Sequence, residues 1–239
     1  MSSLSSSPPL PHPGVWRASE LSTAAGRCIP TGHAALSAEL PGGGWPCGAL
    51  TELLLDACGL GELQLLRPAL ASLSSRRRVA LVQPPAIPNR DAWLAWGLDP
   101  SRLLWVQPEH LNDALWCAEQ ILRNGSCAAL LCWLPQVPGA ALRRLHGAAQ
   151  ETDTLFVAFR PLGAAQRASA AVLRLALHPA PGGVAVRVVK RRGPPRDLPI
   201  FVPLHAPAPV APLLPVTLLP HGTLDLSAPV ASEPGRIVF

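Results

Sequence analysis

Residues 51 to 66, Thr51-Glu-Leu-Leu-Leu-Asp-Ala-Cys-Gly-Leu-Gly-Glu-Leu-Gln-Leu-Leu66, carry the frame of a phosphate-binding loop between two apolar runs. A working loop reads G-x-x-x-x-G-K-[ST]: bare N–H groups wrap the phosphates, the lysine reaches the β and γ oxygens, and the hydroxyl holds Mg²⁺. Here the frame runs from Asp56 to Leu63, and only Gly61 stands in its place. Asp56 replaces the first glycine, Glu62 the lysine and Leu63 the hydroxyl. An anion in place of that cation turns attraction into repulsion, worth about 1 kcal/mol at about 4 Å in water and several times more when partly buried.

The supporting chemistry is missing as well. The apolar strand Leu130-Leu-Cys-Trp-Leu134 has no aspartate for a metal, and Val82-Gln83-Pro84 has no glutamate to serve as base, although Glu109 lies on a later loop. The four vacancies occur together, which implies that hydrolysis is lost and that the loop survives as a turn. No catalytic residue, cofactor or metal ligand is expected. Arg160, Arg167 and the cluster Lys190-Arg191-Arg192 remain as candidate contacts to phosphate or to a partner. Contact with DNA through them would be weak, non-specific and salt-dependent, and the cluster reads equally well as a solvated strand end. Arg76-Arg77-Arg78 follows a helix C-terminus, where cations complement the dipole.

Other reactive side chains have plainer readings. The six cysteines show no C-x-x-C pair and no Cys/His ligand spacing, which fits reduced, mostly buried thiols in a cytoplasmic protein. His33, His110 and His146 stand apart in sequence, and no G-x-S-x-G motif occurs. Trp93, Trp96, Trp105, Trp116 and Trp133 fall on helical or strand segments and read as core and interface packing.

Elements that would position these residues follow from periodicity. A short helix over His33–Leu40, capped by Thr31, precedes the glycine-rich stop Pro41–Pro46. Strands are expected at 49–55, 79–82, 103–106, 128–134 and 155–159, and helices after the loop to Ser74–Ser75, at 91–96, at 114–122 and at 140–150. Asn112 or Asp113 would cap the third of these helices and Gly125 would close it. A late hairpin, 172–177 with 184–189, turns through Pro179–Gly183. Strands alternating with helices argue for an α/β fold, a mostly parallel sheet flanked by helices with the hairpin at one edge.

The 239 residues allow one core plus tails, and the 29 prolines cluster at the two ends. The division expected is a Ser/Pro-rich arm over 1–28, a core over 29–193 and a Pro-rich tail over 194–239. A net charge of +5, almost all arginine, permits an acidic partner without requiring one. The N-terminus lacks the marks of a secretory signal, and no apolar stretch reaches about 18 residues, so no membrane span is expected.

The order of pieces resembles the RecA recombinase core over roughly 29 to 193, and more closely the ImuA family of RecA-like proteins associated with bacterial translesion DNA synthesis. The carrying residues are Ile29–Leu36, Leu40–Pro46, Gly48–Leu53, Gly61–Leu63, Asp113–Trp116 and Val186–Gly193. This resemblance implies a non-catalytic RecA-like adaptor in SOS-induced, damage-linked mutagenesis. Its implied partners are an inactive Y-family-like polymerase homologue of the ImuB type, an error-prone DNA polymerase of the replicative alpha-subunit type, and RecA itself. An SOS-linked cell-division inhibitor of the SulA type, also a small degenerate RecA-like protein without a P-loop, is the alternative.

Overall fold

The computed structural model describes residues 26–75 and 77–204. Most of the arm, Arg76, and the tail from 205 on lie outside the described residues. The chain begins with β1 (Cys28–Pro30), α1 (Ala34–Ser37) and β2 (Gly44–Pro46), then β3 (Ala49–Leu55) and α2 (Glu62–Ser74). It continues through β4 (Arg78–Val82), α3 (Arg90–Ala95), β5 (Leu103–Val106), α4 (Leu111–Asn124), β6 (Cys127–Trp133), α5 (Gly139–Gln150) and β7 (Leu155–Pro161). A 3₁₀ turn at Leu162–Gln166 leads to β8 (Leu173–Ala180), β9 (Gly183–Lys190) and β10 (Ile200–Pro203).

Eight strands form one sheet in the order β10-β9-β8-β3-β7-β6-β4-β5. From β8 to β5 the neighbours are parallel, and β9 and β10 add antiparallel at one edge. The fold is α/β, with helices on both faces. Leu53 and Leu55 point to the face covered by α2, through Leu65, Leu66, Ala69 and Leu70. Leu50, Leu130 and Phe156 point to the other, covered by α4 and α5 through Leu115, Ala118, Leu122, Leu142 and Leu145. Burial on both faces is why the central strands read as unbroken apolar runs.

Four expectations are corrected. Thr31 does not cap α1: its hydroxyl accepts the His33 N–H at 3.0 Å, a turn two residues ahead of a helix only four residues long. Helix α4 starts at Leu111 with His110 as N-cap, which leaves Asp113 inside the first turn, where its charge suits the dipole. Cys28, read as the end of the arm, and Ile29–Pro30, at the start of the core, pair with 44–46, read as a helix stop, as a two-stranded antiparallel sheet. The tail does not begin at 194, because β10 pairs with β9 and buries Ile200 and Val202 in the main core. A four-residue strand between prolines has too little periodicity to be seen from sequence. Among the described residues no helix is long and apolar enough to cross a membrane.

If β10 is part of the core, Ile200→Ala lowers unfolding free energy by about 2 kcal/mol, at the low end for a buried Ile→Ala change. A urea-denaturation loss under about 0.5 kcal/mol, the surface range, would place the strand outside the core.

Candidate functional site

The loop from Asp56 to Gly61 joins β3 to α2 at the carboxyl end of the parallel strands, where open α/β sheets bind ligands. Its anion site is already occupied from within. Glu62, the first residue of α2, is 4% exposed, and its Oε1 accepts the Gly59 N–H at 2.8 Å. The carboxylate therefore takes a loop amide and the positive end of the helix dipole, the two features a phosphate would use. Its Oε2 is buried with no partner among the described residues. Gly61 has φ +99°, and a Cβ there would stand 2.4 Å from Leu204 Cδ1, so the residue after β10 lies directly on the loop. Leu63, in the hydroxyl's place, packs against the core. Asp56 is exposed, 4.0 Å from His178.

A cleft of about 350 Å³ lies beside the loop, lined by Ala57, Cys58, Gln83, Pro85, Trp133 and Phe159 among others. Trp133 and Phe159 stack at 4.5 Å between ring centroids. Gln83, at the base position, has φ +53°, unusual for a residue with a side chain. Its N–H donates to Val106 and its Nε2 to the Pro108 carbonyl, which pins the loop after β5 instead of facing the cleft with an acid. Burial and the Glu62 carboxylate push the Cys58 thiol up, away from the thiolate form a nucleophile needs. The cleft lining holds one carboxylate, the exposed Asp56, and one cation, Arg160, and contains no lysine.

The largest electrostatic feature is elsewhere, and sequence reading passed over it. Glu52, in the middle of β3, is fully buried. Its Oε1 accepts from Arg160 at 3.0 Å and from the Ser169 hydroxyl at 2.8 Å, and its Oε2 accepts Arg174 Nε at 2.6 Å. Arg174 also donates to the carbonyls of Ala164, Ala165 and Arg167, at 2.7, 3.4 and 3.0 Å. The segment after β7 is thus tied onto the sheet. The expectation that Arg160 meets phosphate is corrected: it is 5% exposed and committed to Glu52. A glutamate inside an apolar strand was the available signal, since buried carboxylates are almost never unpaired. The partner arginines lie more than a hundred residues away, so nothing local named them.

The other cations divide. Arg167 is exposed, and Lys190 is exposed with Nζ 3.0 Å from the Ser169 carbonyl. Arg191 is half-buried and bonds the Glu39 carboxylate and carbonyl, joined there by Arg196, while Arg192 is exposed. The sequence cluster does not act as one unit. Arg77 reaches Asp153 at 2.7 Å and the carbonyl of Gly125 at 3.0 Å, so it complements the end of α4, not that of its own helix. Trp93 and Trp133 are buried as expected, but Trp105 and Trp116 are 45% and 62% exposed. The six cysteines are free thiols: Cys127 and Cys132 are buried, Cys28, Cys47 and Cys117 partly so, and Cys58 is exposed. Among the described residues no group of three His, Cys, Asp or Glu could hold a metal ion.

His146 has a structural task. Its Nδ1 accepts the Leu50 N–H of β3 at 3.1 Å, which requires the neutral ring. Burial holds its pKa below the ordinary value, with Lys190 and Arg192 adding repulsion. Below about pH 6.5 the unfolded chain takes up a proton that the folded ring refuses. Stability is therefore full above that pH and falls as pH drops toward the lowered folded value. Unfolding midpoints measured between about pH 5 and 8 should show this slope, and His146→Gln should remove it.

Glu52→Ala leaves two buried guanidinium groups without their anion and should cost about 3–5 kcal/mol in chemical denaturation. Replacing Glu52, Arg160 and Arg174 together by apolar residues should recover most of that. Hydrogen exchange should show residues 162–170 losing protection first in the single variant. Equal loss in the single and triple variants would refute the role given to the charge network.

No family model matches the chain, and no curated protein matches it either. Among solved structures, it is similar to the crystal structure of SulA from Pseudomonas aeruginosa, with 29% identity over 46% of this chain and 97% of that one, at a TM-score of 0.39.

Proposed function

We propose that the chain is a non-catalytic, RecA-like adaptor in damage-induced translesion DNA synthesis, binding a Y-family-like polymerase homologue of the ImuB type. The error-prone polymerase of the replicative alpha-subunit type and RecA are its further partners. The family reading rests on the sequence resemblance over residues 29 to 193. The observation that carries the non-catalytic part is the Glu62 carboxylate on the Gly59 amide. A triphosphate entering that loop would have to displace a buried anion and then face its charge. A RecA-like sheet without ATP chemistry retains its surfaces as the useful part, and binding partners is what those surfaces can do.

Calorimetric titration with ATP and Mg²⁺ should give no binding heat. Tight binding abolished by a change at Gly61 would overturn the non-catalytic reading. The purified chain should capture the polymerase-like homologue. A shortened chain for comparison must end after Ala206, because a cut at Gly193 removes β10 from the sheet. Capture by neither version would sink the adaptor reading. Filamentation on overexpression, with damage-induced mutation frequency unchanged, would replace it with a division inhibitor.

A further inference from the structure

Among the described residues, the face of the sheet covered by α4 and α5 has no helix beyond β3, and there only the 3₁₀ turn leans on it, through Ala164 against Leu54 and Ala176. On the opposite face the same outer strands are sealed, with Val184, Val186, Ile200 and Val202 all in the core. The alternate side chains of those strands, Arg187 and Val189 on β9 and Phe201 on β10, therefore look out on the unsealed side. Phe201 is 49% exposed, and Leu198, just before β10, is 71% exposed.

Two adjoining troughs of about 340 and 510 Å³ run along this face and share Ala165, Gln166, Arg187 and Val189. Their floor is apolar, with Leu162 and Ala176 beside Val189. Their charge is uneven. Arg187, in both linings, and Arg167, at the end of the 3₁₀ turn and outside the linings, are exposed with no side-chain partner among the described residues, and Lys190 meets only a carbonyl. Among the described residues of the lining, carboxylates stand only at the ends, Asp56 near His178 and Asp197 beside Arg196. Glu39 is spent on Arg191 and Arg196.

We propose that this face of β8, β9 and β10 docks an acidic amphipathic segment of a partner protein, with its apolar side chains on Val189, Ala176 and Phe201 and its carboxylates against Arg187, Arg167 and Lys190. Charge complementarity selects an acidic occupant, and the apolar floor selects a peptide over a phosphodiester chain. A single-stranded nucleic acid stacks successive bases on several rings; the trough lining contains no Phe or Trp, and Phe201 on β10 is a single exposed ring on this face. Helices or extended segments laid into such grooves anchor through spaced apolar residues. This surface deepens the adaptor reading and rests on it for the existence of a protein partner.

The test uses the purified full chain panned against a phage-displayed random peptide library, so it needs no partner of known identity. Enriched sequences should combine Asp or Glu with spaced apolar residues. A labelled synthetic copy should bind at least about tenfold more weakly to Arg187→Glu and a few-fold more weakly to Arg187→Gln, a loss of about 1.4 kcal/mol for the former. Arg187→Glu panned afresh should select Lys- or Arg-bearing peptides. Because Arg187 is exposed and has no side-chain partner among the described residues, both variants keep the parent melting temperature. Enrichment of basic or uncharged peptides, or acidic ones indifferent to Arg187→Glu, overturns the proposal. So does a thymidine oligonucleotide that binds more tightly than the peptides at physiological salt and loses affinity on Arg187→Glu. None of these outcomes touches capture of the polymerase homologue, so this surface and the adaptor reading fail separately.

Discussion

The buried carboxylate of Glu52 sets the terms for the half of the sheet around it. Taking one anion out of water in the middle of a parallel strand is costly, and the cost is met only because two arginines from the flanking strands reach it. Those strands are β7 and β8, the immediate neighbours of β3. The network therefore holds in register the three strands on which the loop, the cleft and the outer hairpin depend. It also leaves one net positive charge inside, which the carbonyls of Ala164, Ala165 and Arg167 offset. That last contact folds the segment after β7 down and makes it a wall of the outer trough, not a free loop.

The loop at Gly61 belongs to the same economy of internal pairing. A phosphate loop binds its ligand because amides and a helix dipole are left unsatisfied until the ligand arrives. Glu62 removes that need by supplying an anion from the chain itself. Leu204 then closes over the glycine that a nucleotide's backbone contacts would require bare. The turn has become part of the packing between α2 and the far edge of the sheet. Two residues of the cleft are bound into neighbouring structure: Gln83 holds the Pro108 carbonyl and Arg160 holds Glu52.

What remains exposed is unevenly distributed. Each helix-covered region is sealed by leucine and alanine packing, whereas among the described residues the outer strands are sealed on one side only. The surface proposed for a partner lies on this open side of the edge, away from the carboxyl ends of the central strands.

Much of this molecule was legible in the residues. Continuous apolar runs bounded by glycine and proline located β3 and β5 to the residue and the other main strands within a few positions, because two-sided burial leaves a signature that needs no partner to be read. That Glu62 and Leu63 supply neither the cation nor the hydroxyl of a phosphate loop is plain from their types alone. Sequence could not say where Glu62 points, that Arg160 turns inward while Arg167 stays out, or that a short proline-flanked strand at 200–203 completes the sheet. Those outcomes depend on side chains more than a hundred residues apart meeting across neighbouring strands. Periodicity encodes which face a residue occupies. Only the packed sheet determines what stands opposite it, and for buried charge the opposite partner is the whole of the energetics.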